Sequence, residues 1–395
     1  MMTSKTVKSD VLIVGAGVAG CGLAIRLARA GLDTAVIDKD KFPRHKLCGE
    51  FVSPECIAEL ESLGVMESIE AIGGDRIRET VFHSLRGRSV TVPSDYFSNG
   101  SQGAIGVSRS GMDHQLIKGA SNAGAEIFEE MRASDIELDG SNVKRVIAKD
   151  AIGDHIRFES QLFVDATGRS RVLGNLVDRK NEKQRKRQQI GHVAFKAHFR
   201  DVVLQKGVCE IYFFEGGYGG LSFVEDGAAN HCFLIDAGVV RNNGGDPDLL
   251  LKNVIFENRK AKEALISADR TMEWMAVAIP GFGKQRTSGI DNLIAVGDSR
   301  AFIDPFTGSG MLMALESGQL LASAVERGGL HHVREIRDLY SSEHSKATRK
   351  RLLTCRVMRR LAFSPTLSEA VIASIGSSRT LVERIASLTR PVRSH

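Results

Sequence analysis

An α/β fold with a doubly wound core, an inserted antiparallel β-sheet and a helical C-terminal region is what this sequence predicts. Three observations carry it. A glycine fingerprint joins a strand to a helix near the start of the chain, two internal blocks switch to the period-two rhythm of strands, and residues 331–395 read as helices rich in basic side chains, with breaks near Ser364-Pro365 and Gly376. At 395 residues, 42% hydrophobic and 26% charged, the chain is long enough for more than one core and too apolar for a disordered tail or a fibre.

Residues 10–38 read DVLIVGAGVAGCGLAIRLARAGLDTAVID. A buried strand over 11–14 meets Gly15-x-Gly17-x-x-Gly20, with Ala19 before the third glycine; a helix follows with apolar positions at Leu23, Leu27 and Ala30. Gly31 then serves as C-cap, and a second strand over 34–37 ends on Asp38 and Lys39. Gly15 makes the tight turn, Gly17 lets the backbone approach a pyrophosphate, and Gly20 lets helix and strand pack closely. The helix N-terminus offers unpaired N–H groups to phosphate, and Asp38 sits where a carboxylate accepts ribose hydroxyls. An acid rather than Arg at position 38 favours NAD or FAD over NADP. Lys5 and Lys8 before this apolar stretch imitate a secretion signal, but Asp10 and the glycines break the pattern, and the stretch is shorter than the roughly 20 residues that span a bilayer.

Two later segments belong with the fingerprint. Residues 161–173, QLFVDATGRSRVL, read as a strand ending on Asp165 and a small-residue turn containing Thr167 and Gly168. Residues 292–311, NLIAVGDSRAFIDPFTGSGM, read as a strand delivering Asp298, then a loop with Pro305 leading to Gly308, Gly310 and Met311 at the start of a helix. Between the pieces, residues 80–92 alternate like a hairpin around Gly87, and HVAFKAHF, CEIYFF and HCFLID within residues 191–236 read as further strands. The charged run 181–189 reads as a solvated linker. His83, His192, His198 and His231 fall on candidate strands, where each is either a general base or a structural histidine.

The three-part layout resembles the large flavoprotein family that includes the aromatic hydroxylases of the p-hydroxybenzoate hydroxylase type, the geranylgeranyl reductases and the flavin-dependent halogenases, over roughly residues 8–330. The resemblance implies a Rossmann-like FAD-binding domain of the glutathione-reductase type at 8–75, 105–180 and 276–330. It also implies a substrate domain built on an antiparallel sheet at 76–104 and 186–275, and a basic helical region at 331–395. FAD is the implied cofactor and NAD(P)H the implied electron donor. Asp298 would bind the ribityl chain, and the helix opening at Gly308, Gly310 and Met311 would point at the flavin pyrimidine edge. Arg109, with Asp113 and Leu116, matches the arginine that opens a family helix near the flavin. Residues 42–54, FPRHKLCGEFVSP, resemble the P-R-x-K-x-C-G stretch of the reductase branch, which brings Arg44 to the cofactor and Cys48 beside the isoalloxazine ring. Cys48 is thereby the flavin-adjacent candidate, and the resemblance assigns no catalytic residue.

The function this implies is an FAD-dependent oxidoreductase. The leading expectation is a monooxygenase using O2 to hydroxylate an aromatic or polyketide-like small molecule through a flavin C4a-hydroperoxide. The alternatives are a reductase of isoprenoid C=C bonds and a non-catalytic binding protein. The W-x-W-x-I-P motif of the halogenases is absent, since the single Trp274 stands in TMEWMAVAIP. Thr167 replaces the Asp of the hydroxylases' Asp-Gly pair, which bears on direct contact with NADPH.

Six cysteines, at 21, 48, 56, 209, 232 and 355, form no C-x-x-C pair and no zinc-spaced cluster, so neither a metal nor a disulfide framework is expected and the cytoplasm is the expected compartment. Residues 331–395 hold 13 Lys or Arg against 5 Asp or Glu, which leaves 40 basic and 43 acidic residues in 1–330. The body is thus slightly acidic, and nucleic acid is not an expected partner. The basic end interleaves Arg349, Lys350, Arg351, Arg356, Arg359 and Arg360 with Leu352, Leu353, Val357 and Leu361. Such a pattern either covers the body with its apolar face or gives weak peripheral contact with an anionic membrane, which would suit a lipid-like substrate.

Overall fold

The computed structural model describes residues 5–97, 103–181 and 189–375. Its first sheet has seven strands. Thr6–Val14 lies between Thr34–Ile37 and His155–Asp165, all parallel; Glu126–Phe128 extends one edge and Leu293–Ala295 pairs with the end of His155–Asp165. The antiparallel strands Asn142–Lys149 and Arg132–Asp139 continue the sheet from the first half of His155–Asp165. Runs such as Val11, Leu12 and Ile13 are apolar throughout because both faces of a parallel sheet are covered. Helices Val18–Arg29, Arg109–Asn122 and Gly310–Gly328 pack Leu23, Leu27, Leu116 and Leu315 on one face. Helix Val172–Lys180 packs Leu173, Leu176 and Val177 on the other.

The second sheet has eight strands. Its centre is the antiparallel series His192–Arg200, Ala229–Asp236, Gly217–Phe223 and Val208–Phe214; Glu79–His83 then pairs parallel with Val208–Phe214 and antiparallel with Ser89–Pro93. The predicted hairpin over 80–92 and the three predicted strand runs all lie in this sheet. Successive side chains of a strand point to opposite faces. Accordingly Phe195, Ala197 and Phe199 enter a core shared with helices Pro247–Asn253 and Arg259–Leu265, while Ala194 joins a cluster with Tyr218 and Leu234 on the reverse face.

Helix Val333–Ala362 follows, and the predicted break at Ser364-Pro365 separates it from helix Pro365–Ile375. The expected break at Gly376, most of the expected linker at 181–189, and residues 376–395 lie outside the described residues. The fold class is therefore the one the sequence predicts, a mixed α/β architecture with an inserted antiparallel sheet and a helical C-terminal region.

Candidate functional site

The fingerprint glycines divide into two kinds. Gly15 has φ +109°, and a Cβ there would lie 2.5 Å from Ala166 O; a Cβ on Gly20 would lie 1.9 Å from Gly15 O. Both positions are closed to any side chain by backbone. Gly17 instead faces charge, since a Cβ there would meet Lys46 Nζ at 3.5 Å and an Arg109 guanidinium nitrogen at 4.0 Å. Ala19 is buried beside Gly297, where an added Cβ would come within 2.9 Å of it. Asp38 ends its strand with Oδ2 accepting from Ala16 N at 2.7 Å and Oδ1 accepting from Asp40 N at 3.0 Å. Lys39 is exposed and pairs with Asp40.

A group of cations faces the fingerprint. Ser108 caps helix Arg109–Asn122 by accepting from Gly111 N, and Arg109 donates to both oxygens of Asp113 at 2.7 and 2.8 Å. Arg44 donates to the same carboxylate at 2.8 Å and lies over the Phe42 ring. Burial alone would neutralise Asp113, but Arg109, Arg44 and Lys46 hold its carboxyl below the usual range. Burial also works against the Arg109 charge; Asp113 and the Cys48 sulfur outweigh it and hold the guanidinium above its usual range. Lys46 is pushed down, first by burial and then by Arg109. Three cations around one carboxylate leave an excess of positive charge opposite Gly17, and the pyrophosphate of a dinucleotide fits that excess. Lys46 was not among the residues singled out from the sequence; the lysine of the P-R-x-K-x-C-G stretch was the signal that could have found it.

The later segments close the site from the other side. Thr167 is committed to the fold: its hydroxyl donates to Asp165 at 2.6 Å and accepts from Val172 N at 2.8 Å, while Gly168 takes the turn at φ +66°. Asp298 lies beyond it among Lys46, Arg169 and Arg109, and burial pushes its carboxyl up against their pull. Gly308 has φ +62°, and a Cβ there would meet the Phe51 ring at 3.1 Å. Gly310 opens helix Gly310–Gly328, with Met311 beside it against the core of the first sheet. Arg44, Lys46, Arg109, Asp38 and Asp298 are the side chains that could hold FAD at its phosphates, ribose and ribityl chain.

Cys48 lies where this region meets the second sheet. Its carbonyl accepts from Asn230 Nδ2 at 3.2 Å and its sulfur from Glu50 N at 3.4 Å. Beneath it, buried Glu50 contacts Lys196 and His198 of strand His192–Arg200. Further along the same face, Phe306 meets Phe82, Phe213 and Tyr218 with ring centroids 6.0, 5.8 and 5.0 Å away, and Leu47 and Phe363 join the cluster. The face is thus polar behind Cys48 and aromatic towards the C-terminal helices. The other flagged histidines have local partners: His83 contacts Ser89 and Glu210, His192 packs on Phe363 and Phe282, and His231 Nδ1 faces Gly220 O.

A family model for an FAD binding domain matches residues 8–350. The chain belongs to this FAD-binding family. Its curated relatives include a menaquinone reductase of Mycolicibacterium smegmatis, 27% identical over 339 residues that make up 82% of this chain and 78% of that protein. A digeranylgeranylglycerophospholipid reductase of Methanocaldococcus jannaschii is 28% identical over 324 residues, 80% of this chain and 76% of its own. The solved structure of PqsL, a probable FAD-dependent monooxygenase from Pseudomonas aeruginosa, superposes with a TM-score of 0.72 at 17% identity, covering 94% of this chain and all of that one; the likeness is one of fold. The protein is accordingly a member of a family of FAD-dependent flavoenzymes. Among the described residues, no helix is long and apolar enough to cross a membrane and no cluster of side chains could hold a metal ion.

Proposed function

We propose that this protein is an FAD-dependent oxidoreductase that saturates a C=C bond of a long, apolar, isoprenoid-type substrate, with NAD(P)H as the ultimate electron donor. The observation that carries the reading is the packing of Leu47, the residue before Cys48, into the aromatic face formed by Phe82, Phe213, Tyr218 and Phe306. Relatives named as reductases of menaquinone and of a digeranylgeranyl lipid, matched over about four-fifths of the chain, support it. Residues 8–75, 105–180 and 276–330 would carry the cofactor, and 76–104 with 186–275 the substrate.

Bound FAD would supply hydride transfer to carbon. Lys46, Arg109 and Arg44 would anchor the pyrophosphate, and Asp38 and Asp298 the sugar hydroxyls. The aromatic rings would line up an extended chain and keep water from the reacting carbon. The basic outer face of helix Val333–Ala362 would bring the protein to the lipid surface that holds such a substrate.

Hydroxylation of an aromatic head group by O2 is the second reading, favoured by the acid–base couple of Glu50 and His198 behind Cys48, which deprotonation of a phenol would use. One experiment separates the two. Anaerobic, dithionite-reduced holoprotein is mixed with menaquinone or with a digeranylgeranyl lipid, and products are weighed by mass spectrometry. Gain of two hydrogens without O2 is the expected result. No product without O2, together with gain of one oxygen atom from a phenolic probe in air, would overturn the first reading for the second.

A further inference from the structure

Behind Cys48 lies a charged cluster that cofactor binding does not use. Glu50 and Lys196 are both 0% exposed, and His198 is 8% exposed. Glu50 has φ +54°, a left-handed conformation that residues with a side chain rarely adopt, and this bend delivers its carboxylate to three elements at once. Oε1 accepts from Arg109 N at 2.7 Å and from Lys196 Nζ, and Oε2 faces His198 Nε2 at 2.6 Å. Lys196 also donates to Lys46 O at 3.2 Å.

Burial would raise the Glu50 carboxyl, but the hydrogen bond from His198 and the charge of Lys196 hold it below the usual range, so it is ionised. An ionised carboxylate only accepts, so the 2.6 Å contact has His198 donating from Nε2, and Nδ1 has no protein partner among the described residues. The His198 ring meets the ring of exposed His45 edge-on, centroids 5.7 Å apart. Across the strand pair His198 sits opposite Asn230. Asn230 Nδ2 donates to Cys48 O, which only accepts, so the amide cannot be turned over, and Oδ1 is left buried without a partner. Exposed His45, His198 and the Glu50 carboxylate thus form a line of proton-carrying groups that leads from solvent to the segment bearing Cys48, with Asn230 opposite His198 on the neighbouring strand.

We propose that His198 is a proton-relay residue for the reaction at the Cys48 side of the site, with Glu50 and Lys196 as the positioning pair that fixes its tautomer and His45 as its outlet to solvent. The charged and titratable groups facing His198 are Glu50 and His45 from residues 45–50 and Lys196 on its own strand; Glu225 acts on His45, and Arg109 lies beyond Glu50. The role rests on the reading of the protein as a flavin oxidoreductase, and it is the same for either substrate class.

The test uses O2 as the probe, so that failure on lipid substrates leaves it intact. Oxidation of the two-electron-reduced, anionic cofactor by O2 yields oxidised FAD and hydrogen peroxide and takes up one proton per turnover. Stopped-flow absorbance at ~450 nm follows it in purified holoprotein. His198→Ala should slow this step by about a hundredfold and flatten its pH profile, and added imidazole should restore it. Nitrogen-15 spectra of histidine-labelled protein should show His198 as a single Nε2–H tautomer, and Glu50→Gln should scramble it. Should Glu50→Gln alone fail to bind FAD, the Glu50→Gln/Lys196→Met pair, which removes both charges together, gives the same reading. An unchanged rate and pH profile in His198→Ala, or a mixed tautomer in the native protein, overturns the proposal.

Discussion

A histidine buried without an acid to receive its charge makes the fold sensitive to acid. His231 is fully buried, donates only to a backbone carbonyl, and is pushed down to about 4 by burial. His344, on the buried face of helix Val333–Ala362 and facing Arg300 and Lys284, is pushed down to about 4 first by burial and then by those cations. An unfolded histidine titrates near 6.5. Between pH ~6.5 and ~4 the unfolded chain therefore binds protons that the folded chain refuses, and stability falls as the pH is lowered through that window. Each group accounts for roughly 3 kcal/mol of that fall. Urea unfolding across this range should show it, and His231→Gln should flatten the slope whatever it does to stability at neutral pH. Four flagged histidines could not be told apart in the sequence, because period-two alternation says which face a side chain takes and nothing about what waits there. His198 alone of the four meets a buried carboxylate whose partner is an equally buried lysine, and Glu50 reaches it only through a backbone turn that no local pattern announces.

At the level of elements, the strand–turn–helix of the fingerprint was fully legible, because its glycines answer to local sterics: Gly20 against Gly15, and Gly15 against Ala166. Strand His192–Arg200 was legible as a strand but not in its surroundings. Its pattern HVAFKAHF suggests one apolar face and one wet one, yet Lys196 is as buried as Phe195, since the segment bearing Cys48 lies over the polar side. A second buried cation decides how the C-terminal helix docks. Arg351, 3% exposed, donates two hydrogen bonds to Glu316 of helix Gly310–Gly328, and the sequence offered it only as one of a basic run. Removing Glu316 would strand that charge in the interface. Glu316→Ala should cost about 3 kcal/mol by thermal or urea unfolding, and the Glu316→Ala/Arg351→Met pair should recover most of the loss. Equal losses in the single and double variants would show that packing, not charge, carries the contact.

The whole molecule separates its charges, and the structure divides the basic end into used and unused parts. From His344 to Ser368 the chain carries seven Lys or Arg and no acid. Arg351 is taken by Glu316, and Arg359 lies over Phe282 beside Asp304. Lys346, Arg349, Lys350, Arg356 and Arg360 are exposed, and between them Leu353 and Val357, one helical turn apart, are 61% and 53% exposed. The inner face of the helix covers the body through Tyr340, Cys355 and Ala362, and the outer face, on which the expectation of membrane contact rests, is left basic and apolar. Ala362, Phe363 and Ile372 of the two C-terminal helices also close the aromatic cluster, so the outward basic face and the apolar end of the site belong to the same elements. On an anionic bilayer each exposed cation is worth about 1 kcal/mol, and the attraction weakens as the Debye length shrinks with salt. The full-length protein should therefore float with vesicles containing phosphatidylglycerol and not with neutral phosphatidylcholine vesicles. Arg349→Ala/Arg356→Ala should lower that partitioning by about thirtyfold, the equivalent of roughly 2 kcal/mol. Equal binding to both vesicle types, or binding that added salt leaves unchanged, would leave the outer face as a solvated surface and require the apolar substrate to reach the site from solution.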